Sequence, residues 1–306
     1  MKPSLFLAAA GFAVCAQLAL AQLPAGITME QVNTTLPEEG APQAIAGPYA
    51  VATERAFGHD GLRIYRPGTL DNFPQRDTLP VVVWGNGGCA VDAPRYGGFL
   101  GTIASHGFLV ITTAAGDAAA APAAAAAPRR AATAADLAAA IDWAERENTR
   151  PGAPLSGRID TRRVAVMGQS CGGRLAILVG ADARVTTIGV FNAGLNASDI
   201  PLLSRLHGPV LLINGHERDF MMAPSKATYE AIDKLPAFYG ARHGAGHTAT
   251  AYHAGGGEFA NVASAWARWQ LKRDDKAGAM FRGAQCTLCT DSNWDVAAKR
   301  LGPLGL

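Results

Sequence analysis

Residues 162–173 read "RRVAVMGQSCGG", and the reading of this stretch decides the fold. A β-branched apolar run ends at Gly168, a polar pair follows in Gln169 and Ser170, and then come Cys171, Gly172 and Gly173. Gly168 to Gly172 matches G-x-S-x-G, a pattern that gains meaning only between a strand and a helix. A serine at the apex of a sharp strand-to-helix turn sits in a strained backbone, and glycines two residues either side let neighbouring segments pass close. A serine kept for packing needs no such room. The stretch therefore predicts a strand over 162–168, a helix from Ser170 to about Val179, and Ser170 as a candidate nucleophile.

A neutral serine hydroxyl attacks poorly without a base in hydrogen-bond reach. His247 lies in "GARHGAGHTAT", a glycine-rich loop just after a strand-like run, which suits it to the task; His243 shares the loop as its competitor. His207 precedes a strand and falls at the wrong edge. A base needs a carboxylate to hold its tautomer. Asp219 follows "PVLLINGHER" and so stands just past a strand end, with Glu217 as its neighbour and rival. The chain order Ser170, Asp219, His247 is that of an α/β-hydrolase. Negative charge on a tetrahedral intermediate calls for backbone donors: the N–H of Cys171, and one from "WGNGGC" (84–89), where Asn86 and Gly87 are both candidates.

The rest of the chain supplies the frame. Strand-like runs appear at "YAVATERA" and "GLRIYRP", expected as an antiparallel pair turning at His59-Asp60-Gly61. Further runs are "LPVVVWGN" (79–86), "GFLVITT" (107–113), "TTIGVFN" (186–192), "PVLLING" (209–215) and "PAFYGA" (236–241). Continuous apolar runs of this kind mark strands buried on both faces of a mostly parallel sheet. Helical spacing puts Leu137, Ile141 and Ala144 on one face of 132–147, opened by Ala132 or Thr133. Phe259, Val262, Trp266 and Trp269 are spaced likewise in "GEFANVASAWARWQL". The low-complexity stretch 114–130 reads as a surface excursion. Strands alternating with helices predict a three-layer α/β sandwich with a central, mostly parallel sheet.

The 306 residues carry a net charge of +2 and are 49% hydrophobic, which suits one folded domain and argues against a nucleic-acid partner. Residues 1–21 read as a signal peptide, with Ala19-Leu20-Ala21 as the small-x-small cleavage site, leaving 22–306 as one catalytic domain in a secreted or periplasmic protein. No later run is apolar enough to span a bilayer. Export leaves Cys89, Cys171, Cys286 and Cys289, an even number that favours disulfides. Four cysteines allow three connectivities. If the turns holding Cys89 and Cys171 converge on one oxygen, those two are close enough to pair and Cys286 pairs with Cys289; free thiols and a link from Cys171 to the tail are the alternatives. Only Cys286 and Cys289 have metal-ligand spacing and no second such pair exists, so neither metal nor cofactor is expected.

Four blocks, "VVVWGNG" with "IASHGFLVIT", "RIDTRRVAVMGQSCGG", "VLLINGHERDFMMAP" and "GAGH", resemble the secreted α/β-hydrolases of the dienelactone-hydrolase-like, cutinase and polyester-hydrolase group. The resemblance spans roughly residues 45–250. It implies a nucleophile at Ser170, an acid at Asp219 and a base at His247, and places Asn86 where the polyester hydrolases have their first oxyanion donor. The implied activity is hydrolysis of a small-molecule or polymeric carboxylic ester through an acyl-enzyme. Acyl transfer or amide cleavage on the same residues is the alternative, as is a non-catalytic binding protein of the same fold. Polyester hydrolases carry an aromatic residue at the oxyanion position and a tryptophan after the next strand; here Asn86 and "FNAGLNA" (191–197) stand there. Dienelactone hydrolases proper use cysteine as nucleophile. The tail "FRGAQCTLCTDSNW" is an extension outside the common pattern. Oligomeric state has no signature in the sequence.

Overall fold

The computed structural model of the protein describes residue 28 and residues 42–115 and 130–302. The expected signal peptide and most of the 114–130 excursion lie outside the described residues. One nine-stranded sheet runs through the rest, in the order β1-β2-β4-β3-β5-β6-β7-β8-β9. Its parallel centre comprises β4 (Leu109–Thr113), β3 (Leu79–Gly85), β5 (Ile159–Gln169), β6 (Val185–Phe191), β7 (Val210–Gly215) and β8 (Ala237–Arg242). Antiparallel strands close both sides: β1 (Val51–Ala56) on β2 (His59–Pro67) and β2 on β4 at one edge, β9 (Trp294–Lys299) on β8 at the other.

Alternation along each strand sends side chains to two separate cores, which is why the apolar runs are continuous. From β3, Val81 and Val83 join one core with Val164 and Val166 of β5. Val82 and Trp84 join the other with Ala165 and Met167. Helices α2 (Ala134–Thr149) and α3 (Cys171–Val179) cover the first face; α1 (Gly97–Ser105) and α6 (Gly257–Lys272) cover the second. Three further helices among the described residues are α4 (Met222–Ala231), α5 (Ala249–Tyr252) and α7 (Asp275–Gly278). The three-layer α/β-hydrolase architecture follows directly. Among the described residues no helix is long and apolar enough to cross a membrane.

Details differ from the sequence expectation at three places. The first hairpin turns at Phe57-Gly58, with Gly58 at φ 66°, while His59 to Gly61 already belong to β2; the glycine that takes the left-handed backbone lies three residues earlier than expected. Trp266 is fully buried, but Trp269 sits at the core's margin, stacked on Phe281 and covered by the Arg282 guanidinium. The tail is not an appendage: it supplies β9, which pairs along the whole of β8.

Thr133 caps α2 through a capping box with Asp136, which also forms a bidentate pair with Arg130. The Arg130 hydrogen bond, with those from Thr133, holds the Asp136 carboxyl down at about 2 against its partial burial. A folded-state value below the unfolded one means stability that is present above about pH 4 and lost as pH falls through about 2. Asp136→Asn is therefore expected to cost about 1 kcal/mol at pH 7, and the gap from wild type, read by thermal unfolding, should narrow at pH 3. An equal gap at both values would refute this.

Candidate active site

Ser170, Asp219, His247, Asn86, Gly87 and Cys171 gather at the C-terminal ends of the parallel strands, where open α/β sheets place their sites, while Cys286 and Cys289 lie apart in the segment before β9. Ser170 follows β5 and precedes α3 with φ 53° and ψ −122°. A non-glycine residue at positive φ persists only where its surroundings impose it. Here they do. The Ser170 N–H donates to Phe191 O at 2.9 Å, and the Ser170 carbonyl accepts from Gly173 N at 2.9 Å. A Cβ at Gly172 would collide with the Gly85 carbonyl, and one at Gly168 with the Gly172 carbonyl. The glycines of the motif are thus explained by close approach of the first turn of α3 to β3 and β5, as the sequence suggested.

His247 lies in the loop after β8 and Asp219 in the loop after β7, and an isolated parallel bridge between Arg218 and Gly246 joins the two loops. His247 Nδ1 is 2.8 Å from Asp219 Oδ1, and His247 Nε2 is 2.9 Å from Ser170 Oγ. An imidazole with its proton on Nδ1 donates to the carboxylate and accepts the serine hydroxyl. Both His247 and Asp219 are buried. Asp219 takes three further hydrogen bonds: Met221 N at 3.0 Å on Oδ1, Gly215 N at 3.1 Å and Asn192 Nδ2 at 2.8 Å on Oδ2. The Phe220 ring lies 4.2 Å from the imidazole of His247. The rivals are occupied elsewhere: His243 Nε2 is 3.1 Å from Asp295 Oδ1, and Glu217 Oε2 is 2.9 Å from His216 Nδ1.

The turn after β3 is bridged to the start of α3. Cys89 and Cys171 form a disulfide with Cα atoms 5.2 Å apart, and Cys286 pairs with Cys289. Cys89 and Ser170 are both at positive φ, so the bridge links two strained turns. The buried Asn86 side chain serves the fold: its Nδ2 donates to Ala90 O and Thr113 Oγ1, and its Oδ1 accepts from Thr112 Oγ1. The Gly87 N–H donates to Tyr96 Oη at 3.2 Å.

Three residues at this site had no advocate in the sequence. Gln169, the second residue of the motif, accepts from Tyr96 Oη at 2.7 Å and donates to His247 O at 2.7 Å, tying the turn after β3 to the histidine loop. Tyr96 is the middle member of that chain. Asn192, at φ 47° after β6, holds Asp219; an asparagine ending a strand run is the one local hint, since Asn tolerates positive φ. Tyr96→Phe should leave the buried Gly87 N–H and Gln169 Oε1 unpaired and cost about 1–3 kcal/mol, read by denaturant unfolding. Wild-type stability in that variant would show that the chain does not bear on the fold.

No curated protein matches the chain. Its sequence does match one family, described as PET hydrolase-like, over residues 33–295. That span takes in the sheet from β1 to β8, the serine elbow, the carboxylate loop and the histidine loop. With the α/β-hydrolase sheet and the elbow in place, the chain belongs to the PET hydrolase-like family.

Proposed function

We propose that the protein is an exported serine hydrolase of carboxylic esters, with Ser170 as nucleophile, His247 as general base and Asp219 as its orienting acid. The observation that carries this reading is the unbroken relay from Asp219 Oδ1 through the imidazole of His247 to Ser170 Oγ, at 2.8 and 2.9 Å, on a serine held at positive φ. Family membership supports an ester as substrate. His247 Nε2 takes the hydroxyl proton as Oγ attacks the carbonyl carbon, and Asp219 stabilises the imidazolium. The oxyanion is met by the N–H of Cys171 and, because Gly87 N–H is engaged by Tyr96, by that of Asn86. Collapse expels the alcohol, which His247 protonates; water then repeats the sequence and releases the acid. Export rests on the N-terminal segment and on the two disulfides, which suit an oxidising compartment.

The side chain of Asn86 is turned into the fold, and Phe191, the one aromatic residue of 191–197, is buried in the core, so neither offers an aromatic wall where polyester hydrolases have one. Phe220, beside His247, is the aromatic surface at hand. This favours small or aliphatic esters over stacked aromatic polymer units. Hydrolysis of p-nitrophenyl esters of rising chain length, beside a polyester film and an amide analogue, tests the reading. No turnover of any ester, with fluorophosphonate failing to label Ser170, would overturn it.

The Cys89–Cys171 bridge holds the two proposed oxyanion turns together, and Cys171 is exposed to reductant. Reduction should therefore lower turnover by up to about 10²-fold, the size of losing one oxyanion donor, before the circular dichroism of the fold changes. Activity and fold lost together would refute a positioning role.

A further inference from the structure

Asn192 follows β6, the strand between β5, which ends at the Ser170 elbow, and β7, which leads to Asp219. Backbone hydrogen bonds tie it to both neighbours. Phe191 O, just before it, accepts the Ser170 N–H at 2.9 Å, and the Asn192 N–H donates to Ile213 O at 2.7 Å. The side chain reaches the rest of the relay. Its Nδ2 donates to Asp219 Oδ2 at 2.8 Å and to Gly246 O, the carbonyl just before His247, at 3.3 Å. One amide therefore touches the loop after β7 and the loop after β8 together.

Burial gives these contacts their weight. Asn192 is fully buried, as is the side chain of Asp219. A buried carboxylate is costly unless hydrogen bonds meet its oxygens. Oδ1 faces His247 Nδ1 and Met221 N, while Oδ2 receives Gly215 N and Asn192 Nδ2. Gly215 and Met221 belong to the strand end and loop that carry Asp219. Asn192 reaches the carboxylate from the neighbouring strand, and so fixes it relative to the serine elbow. Asp219 Oδ2 and Gly246 O are both acceptors, so only the amino end of an amide suits the place. The backbone of Asn192 is held at φ 47°, a conformation that persists in a non-glycine residue only where its surroundings impose it.

We propose that Asn192 is a positioning residue of the hydrolytic relay, whose amide sets Asp219 and the carbonyl before His247 in one geometry and acts on the reaction through them. This rests on the ester-hydrolase reading above. Asp219 must meet the imidazolium that forms as His247 takes the serine proton. A carboxylate free to turn, or a histidine loop free to shift, loses that contact as charge develops, so the loss falls on kcat.

Wild type, Asn192→Gly and Asn192→Asp are compared on the p-nitrophenyl ester that the wild type hydrolyses fastest, by the rate of fluorophosphonate labelling at Ser170, and by thermal unfolding. Glycine accepts the positive φ and removes the amide. It should lower kcat by about 10- to 100-fold, the loss of a hydrogen bond to a charged group, with KM nearly unchanged. Asn192→Asp keeps the size and tolerates the backbone, but sets a carboxylate against two acceptors. It should lose more than glycine, the reverse of what a packing role gives, and labelling should slow in the same order. In a His247→Ala background, Asn192→Gly should cost nothing further, because its action passes through the base. The proposal is overturned, and the hydrolase reading left standing, by an active wild type whose variants keep kcat, lose activity only through KM, or rank Asn192→Asp above Asn192→Gly. A further loss in the His247→Ala background has the same force, as does failure of both variants to fold, which makes Asn192 a stability residue. A wild type that hydrolyses no ester and takes no label at Ser170 removes the hydrolase reading itself, and the proposal with it.

Discussion

Ser170→Ala should lower ester turnover by about five to six orders of magnitude while the fold stays intact, because members of such a relay act as a unit. The side chain's role is narrow: its Oγ meets His247 Nε2, and the backbone bonds that set the elbow come from the Ser170 amide and carbonyl. Alanine keeps those bonds and the positive φ, so thermal unfolding should move little. What disappears is the attacking oxygen. Residual rate should remain above that in water, since the variant keeps the N–H groups of Asn86 and Cys171 proposed as oxyanion donors. A fluorophosphonate should label the wild type at Ser170 and leave the variant unlabelled. Labelling of another residue, or loss of less than about a hundredfold in kcat, would remove Ser170 from the nucleophile's place.

Much of this site was legible because an α/β-hydrolase writes its chemistry at strand ends in a fixed chain order. Ser170, Asp219 and His247 each follow an apolar run that is buried on both faces, and such runs stand out without help from context. The parts that escaped are those held by contacts distant in sequence. β9 reads "WDVAAK" with charges and alanines because it is an edge strand, half exposed, and its pairing is decided by β8 and not by its own composition. Helix α1 begins with two glycines, against local propensity, and forms because Phe99, Leu100 and Ile103 are buried against the sheet. Gln169 and Tyr96 are 73 residues apart and His247 a further 78 from Gln169, so no window of sequence contains their network. The disulfide was reachable by another route: if the turn after β3 and the serine elbow each offer an amide to one oxygen, Cys89 and Cys171 come together, and they are bridged.

His247→Ala should cost as much as loss of the serine, about six orders of magnitude in kcat, and the double variant with Ser170→Ala should have no lower residual rate than either single one. The reason is that a hydroxyl without a base and a base without a hydroxyl are equally idle. Distance selects His247 over its loop neighbour: its Nε2 is 2.9 Å from Ser170 Oγ, whereas the Nε2 of His243 is bonded to Asp295 and its ring lies on His216. His247 is also the histidine fixed from both sides, by Asp219 at Nδ1 and by Gln169 at its carbonyl, so its imidazole is delivered with little freedom to lose. Removing the ring leaves Asp219 with its three other donors, so the loop should keep its place and the loss should appear in kcat and not in KM. Near-wild-type activity in His247→Ala would hand the base to His243. A double variant slower than both singles would show that serine and histidine contribute separately and that the relay is not the engine of the reaction.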